Sequence, residues 1–281
     1  MGKQVTELDV LPSFTDTSLL PVHNGAGLKK GLLSQLATYL GTKFSNPNLL
    51  INPDFKINQR GATSYEQQGY SVDRWKIWNV TVTPSANGGI TVKNDKYSDT
   101  GTFLQYLENA TEGDSTLSCY VTSVSGIVTM VADDDSQVVL KQGLNVVHTN
   151  KSTKTFTIFL NRGTSITLKW VKLEQGTVAT SFIAPNPAEE LVNCKRYYNF
   201  SVLHFYGVCN SNGSLNEDLV LYRHFRTSPT FSTNATYSKN VTVSTLALKG
   251  SNDNGYYLYV RTSTSGTYEL DLTIKADAEI Y

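Results

Sequence analysis

Cysteine is scarce in this 281-residue chain: Cys119, Cys194 and Cys209 show no CxxC spacing and are odd in number, so neither a disulfide framework nor a zinc site is indicated. They read as free, mostly buried thiols. Charge is sparse too, at 17% of residues, and 24 basic side chains balance 24 acidic ones. No net field therefore draws the chain toward nucleic acid or into an anionic membrane. No stretch approaches 18 apolar residues, and the opening MGKQVTELDVLP lacks a basic region followed by an apolar run, so neither a membrane span nor an export leader is expected. The four histidines, His23, His148, His204 and His224, are scattered, with no H-E-x-x-H and no G-x-S-x-G elbow. "NGAGLKKG" lacks the spacing of a phosphate loop. A glycoside hydrolase needs two carboxylates facing across a cleft, a pairing that linear sequence does not display; with the other catalytic motifs missing, the chain is expected to be a non-enzyme.

What is abundant is Asn, Ser, Thr and aromatics that are mostly Tyr (16) and Phe (11), a surface suited to sugars or to other protein copies. The expected fold is mainly β. Residues 1–46 read as a small hairpin-helix unit: "SLLPVHNGAGLKK" places two extended runs around an Asn-Gly turn, and "SQLATYLG" follows as a short helix stopped by Gly41. So small a unit buries too little apolar surface to be stable alone. Residues 47–185 carry short apolar or alternating runs near 76–82, 102–107, 115–122, 125–131, 137–140, 144–148, 154–160 and 165–173. With no helical crossovers between them, these predict an antiparallel, jelly-roll-like β-sandwich. In "SITLKWVKLE" the apolar face runs Ile166, Leu168, Trp170 and then switches to Val171 and Leu173, the mark of a β-bulge.

Residues 186–199, from "NPAEELVNCKRYYNF", are expected to form a connector helix. Asn186 caps it, Pro187 takes its first position, Glu189 completes a capping box, and Leu191, Cys194 and Tyr198 supply an apolar stripe. Glu189 and Glu190 favour its positive end, Lys195 and Arg196 its negative end. Residues 200–281 read as a second β-sandwich. "TYELDLTIKADAEIY" turns Tyr268, Leu270, Leu272 and Ile274 inward and Glu269, Asp271 and Thr273 outward; "GYYLYVRT" sets Tyr256, Leu258 and Val260 against Tyr257, Tyr259 and Arg261.

Aromatic planes stack on the apolar faces of sugars, which makes exposed Trp and Tyr the candidates for binding. Trp75 and Trp170 read as core; Trp78 is the open case. Tyr257, Tyr259 and Arg261 are the better surface candidates, with burial against a neighbouring subunit as their competing reading. Asp133, Asp134 and Asp135 form the one acidic cluster. It is a hairpin tip first, and a calcium site second, because clustered carboxylates suit hard cations. No other cofactor is indicated.

"NLLINPDFKINQRG...GYSVDRWKIW", "WVKLEQGTVATSFIAPNPAEELVNCKRYY" and "GTYELDLTIKADAEIY" together resemble a bacteriophage or prophage tail-fibre protein, in segment order more than in any single motif. The resemblance implies a homotrimeric virion appendage, assembled in the bacterial cytoplasm. Its residues 1–46 would attach to other virion proteins, and its β domains would face a host-surface receptor, a glycan being the expected one. It also makes Glu189, Glu190, Cys194, Arg196, Tyr197 and Tyr198 part of a linker signature. No collagen-like, coiled-coil or β-helical shaft is visible, so the fibre would be short. A head fibre or decoration protein without a receptor is the alternative, and a glycan-degrading enzyme a distant third.

Overall fold

The computed structural model describes residues 44–280, except 67, 98, 134, 210–213, 218–223, 252–254 and 263, together with 19–23, 28–33, 36 and 40; within 209–217 and 242–262 it describes the backbone alone. Near the N-terminus β1 (Leu19–His23) pairs antiparallel with β2 (Leu28–Leu32), the hairpin expected around Asn24-Gly25. The helix expected after it falls largely outside the described residues.

The first sandwich consists of two antiparallel sheets. One contains β3 (Gly69–Tyr70), β4 (Lys76–Trp78), β7 (Gly101–Tyr106), β9 (Val128–Val131), β10 (Gln137–Val139) and β12 (Thr155–Leu160), in the order β10-β9-β12-β7-β4-β3. The other contains β5 (Thr81–Pro84), β6 (Ile90–Asn94), β8 (Ser115–Ser125), β11 (Gly143–Thr149) and β13 (Thr164–Gln175), in the order β11-β8-β13-β6-β5. Their inner faces share one core, in which Ile77, Phe103, Met130, Phe156 and Ile158 meet Val82, Val92, Leu117, Cys119, Leu168 and Leu173. The chain passes back and forth between the sheets, as a jelly-roll-like sandwich requires. Trp75, fully buried as expected, stacks on Phe103 with ring centroids 4.7 Å apart. Burying side chains of this size stabilises by about 1.5–3 kcal/mol each.

Two readings of the sequence need correction. The run 76–82 is not one strand: Asn79 takes φ 52°, and the chain leaves the six-stranded sheet after β4 to enter the five-stranded one at β5. That break separates Trp78, 48% exposed, from Val80, which is fully buried. The bulge in β13 is present, with register shifts at Thr167/Leu168 and Leu168/Trp170. Its consequence for Trp170 differs from expectation, because Lys169 takes up the extra position. Trp170 is thrown onto the outer face, half-buried, where it stacks on Phe182 at 4.7 Å.

The connector is α1 (Pro187–Lys195), shorter than the expected 186–199, so Tyr198 opens the next strand instead of completing the helix's apolar stripe; the Asn186 side chain accepts from Ala188 N at 3.0 Å. Its buried residues are Glu190 and Cys194, whereas Leu191 is only half-buried. The Glu190 carboxylate accepts from Asn52 N, which gives an acidic residue a reason to face inward. Glu189 stays exposed.

Beyond α1 lie two three-stranded sheets. One is β14 (Tyr198–Cys209), β19 (Gly266–Asp277) and β16 (Thr230–Lys239), in the order β14-β19-β16; the other is β15 (Ser214–Glu217), β18 (Gly255–Thr262) and β17 (Val241–Ser251), in the order β15-β18-β17. Leu270, Leu272 and Ile274 of β19 are buried, as expected, against Leu203, Phe205, Phe231 and Ala235. Gly207 belongs to this inner face because the Tyr268 ring lies across it: a Cβ there would sit 2.6 Å from the ring.

The segments that carry the tail-fibre resemblance converge on one buried polar junction. Asn52 Nδ2 donates to the Ile57 and Asp73 carbonyls, and Asp73 accepts from Gln59 N at 2.7 Å and Gln59 Nε2 at 2.6 Å. Gln59 Nε2 also reaches the Tyr198 carbonyl. Arg74, 1% exposed, is paired with Glu279, lies 3.5 Å from the Tyr197 ring centroid, and donates to the Tyr106 carbonyl at 2.6 Å. Arg60 covers the Tyr198 ring at 3.8 Å. Tyr70 donates to the Ile280 carbonyl, and Ala278 N to the Tyr197 carbonyl at 2.7 Å. Residues far apart in sequence thus bind the first sandwich, α1 and the end of β19 into one body.

A candidate carbohydrate-binding groove

The outer face of the six-stranded sheet carries the opposite residue parity from the core, and its polar and aromatic side chains line up across strands. Trp78 stands opposite Thr102, and Lys76 opposite Leu104 and Tyr70. Around them runs a groove of about 450 Å³ lined by Gln68, Lys76, Ile77, Trp78, Thr100, Thr102, Leu104 and Tyr106. The Lys76 ammonium lies 5.5 Å from the Tyr106 ring centroid and 6.0 Å from that of Tyr70. Such cation–π geometry holds the charge within a nest of rings.

Tyr106 also lines a second, adjoining cavity of about 580 Å³, whose walls include Arg74, Glu108, Asn109, Glu112, Arg196 and Tyr197. There Arg196 Nη2 pairs with the Glu108 carboxylate at 2.9 and 3.1 Å, both side chains partly exposed. Burial pushes the Tyr197 hydroxyl pKa up to about 12, so it stays a neutral donor at physiological pH. From Thr102, opposite Trp78, to Tyr106 is four residues of strand, or about 14 Å at ~3.4 Å per residue. Together the two cavities present aromatic planes, a lysine, an arginine–carboxylate pair and several amide and hydroxyl groups. That mixture of flat apolar surface and directional polar groups is what a sugar ring requires.

No protein-family model and no curated protein sequence matches the chain. Solved structures give faint likenesses. Two mutants of CBM29-2, from work on ligand recognition by family 29 carbohydrate binding modules, align over 44% of this chain and 100% of theirs, at TM-score 0.29 and 10% and 9% identity. Recombinant discoidin II of Dictyostelium discoideum aligns over 70% of this chain and 84% of its own, at TM-score 0.23 and 11% identity. At such scores the sandwich is assigned from the strand order and the shared core described above.

The sequence candidates are placed as follows. Trp78 lies in the groove. The backbone of Tyr257, Tyr259 and Arg261 belongs to β18, the middle strand of its sheet, and their side chains lie outside the described residues. The Asp133 carboxylate accepts from Lys154 N at 2.5 Å, from Thr155 N at 3.1 Å and from the Thr155 hydroxyl, which ties its turn to β12. Asp135 sits in that turn at φ 67°, and Asp134 lies outside the described residues. Glu190, Cys194, Tyr197 and Tyr198 pack in or against the junction, with Arg196 at its groove side. Burial raises the thiol pKa of Cys194, and of Cys119 to about 12, which keeps both unreactive. Sequence reasoning named none of Lys76, Tyr106 and Glu108 as site residues: Lys76 shares parity with Trp78, but Tyr106 and Glu108 are brought near it only by the pairing of β4 with β7.

Proposed function

We propose that this chain is a non-enzymatic, homotrimeric phage fibre protein that recognises a host-surface glycan chain along the groove from Trp78 through Tyr106 to Glu108 and Arg196. The observation that carries the glycan reading is Trp78, half-exposed at one end of an open groove that Lys76 and Tyr106 also line. The length of the groove favours several linked sugars over a single terminal one. Glu108 is held by Arg196 at the far end, away from Trp78, in the manner of a hydroxyl-binding pair. The fibre role is supported by the sequence resemblance, and residues 1–46 are its attachment segment to other virion proteins.

Glycan arrays printed with bacterial surface polysaccharides test the binding claim. The wild-type protein should bind a limited set of them, and Trp78→Ala should lose about tenfold or more in affinity, as removal of an aromatic anchor does. Equal binding by Trp78→Ala would sink the groove assignment. Deleting residues 1–46 should leave folded β domains that no longer enter particles; unchanged incorporation would contradict the attachment role.

A further inference from the structure

The outer face of the β14-β19-β16 sheet leaves large apolar side chains in the open. Phe200, Val202, Tyr206 and Val208 occupy alternate positions of β14, with His204 between Val202 and Tyr206; they are exposed by 37%, 66%, 67% and 65%, with Tyr237 of β16 across the sheet at 46%. At the areas such side chains carry, this is on the order of 500 Å² of open surface, the upper end of what a monomer leaves uncovered. With its polar surroundings it approaches the roughly 800 Å² per partner of a standard interface.

We infer that this face is where one copy of the chain meets another, through the stripe on β14. Three observations favour a second copy over other occupants. β14 is a 12-residue strand at the edge of its sheet, and a long edge with alternating apolar side chains pairs or aggregates unless it is covered. The charges on the face alternate in sign: His204 bonds Asp271 at 2.5 Å, Glu269 stands opposite Lys239, and Lys275 lies further along β19. An identical face is therefore not repelled, whereas an anionic membrane or polyanion finds no net attraction. Val202 and Val208, each about two-thirds exposed, are aliphatic and give a sugar neither a ring to stack on nor a hydrogen bond.

This inference rests on the self-association within the proposed function and on none of its glycan site. The test is the mass of the full-length protein by light scattering, for the wild type and for Val202→Asp/Val208→Asp. The wild type should exceed the single-chain mass of 31.0 kDa, and the double variant should fall to it while keeping its circular dichroism spectrum. An oligomer that survives the double variant would place the contact elsewhere and overturn this assignment while leaving self-association standing. A wild type of 31.0 kDa would overturn both. Should the aspartates disturb folding, amide exchange across 200–208 in the wild type decides: it should slow as protein concentration rises, and concentration-independent exchange rejects the interface.

Discussion

Replacing Glu279 by alanine should be among the most damaging single changes in the chain. Glu279 is fully buried as a side chain and paired with Arg74, itself 1% exposed, and it also lies 3.4 Å from Arg60. Removing one partner of a buried pair leaves the other charge uncompensated, at a cost of about 3–5 kcal/mol. Arg74 keeps the Tyr106 carbonyl and the Tyr197 ring, so the lower end of that range applies. At roughly 2–4 °C per kcal/mol for a chain of this size, the melting temperature should drop by roughly 10 °C. Replacing both partners, as Arg74→Met/Glu279→Leu, removes the stranded charge and should recover most of the loss. Urea unfolding followed by tryptophan fluorescence measures both variants. A Glu279→Ala loss below about 1 kcal/mol, or a double variant as weak as the two single variants combined, would refute the idea that this pair holds the junction.

Further expectations follow from the same geometry. Burial raises the pKa of Asp73 and Glu190, and the Asp271 hydrogen bond raises that of His204. Each group binds its proton more tightly when folded, so stability should rise as pH falls from 7 through the raised carboxylate values, the gain being complete below the ordinary 3.8 and 4.5. Melting curves that weaken steadily from pH 7 to 5 would contradict this, and Asp73→Asn/Glu190→Gln should flatten the profile. A methyl group at Gly101 would meet Val80 and lie 2.7 Å from the Asn79 carbonyl, so Gly101→Ala should cost about 1–3 kcal/mol by overpacking where β4 hands over to β5. An unchanged urea midpoint would show that the strands there separate freely. Trp170→Ala should expose Phe182 and Tyr120 and cost stability without reducing glycan binding; weaker binding on the same arrays would place the site on the other sheet.

The alternation in "TYELDLTIKADAEIY" shows β19 plainly, because one face is buried and the other half-buried or exposed along the strand. The bulge in β13 was legible for the same reason, although apolar parity put the slip after Trp170 and the structure puts it before, at Lys169. What parity does not convey is where a strand changes sheets. Trp78 and Val80 share parity, yet the positive φ of Asn79 sends one outward and the other into the core. β6, "ITVKN", escaped notice behind the Gly88-Gly89 turn. The junction was visible as motifs but not as a place, since Asn52, Asp73, Arg74, Glu190 and Glu279 come together only through tertiary packing. The stripe on β14 was likewise unreadable, because alternating Phe, Val and Tyr fit a buried face as well as an open one.

Amide hydrogen exchange, with and without an oligosaccharide identified on the arrays, tests the central claim most directly. Bound sugar should slow exchange in 76–78 and 100–106 and around Glu108, and leave 200–208 unchanged. Protection confined to other segments, or binding with no protection along the groove, would contradict the account.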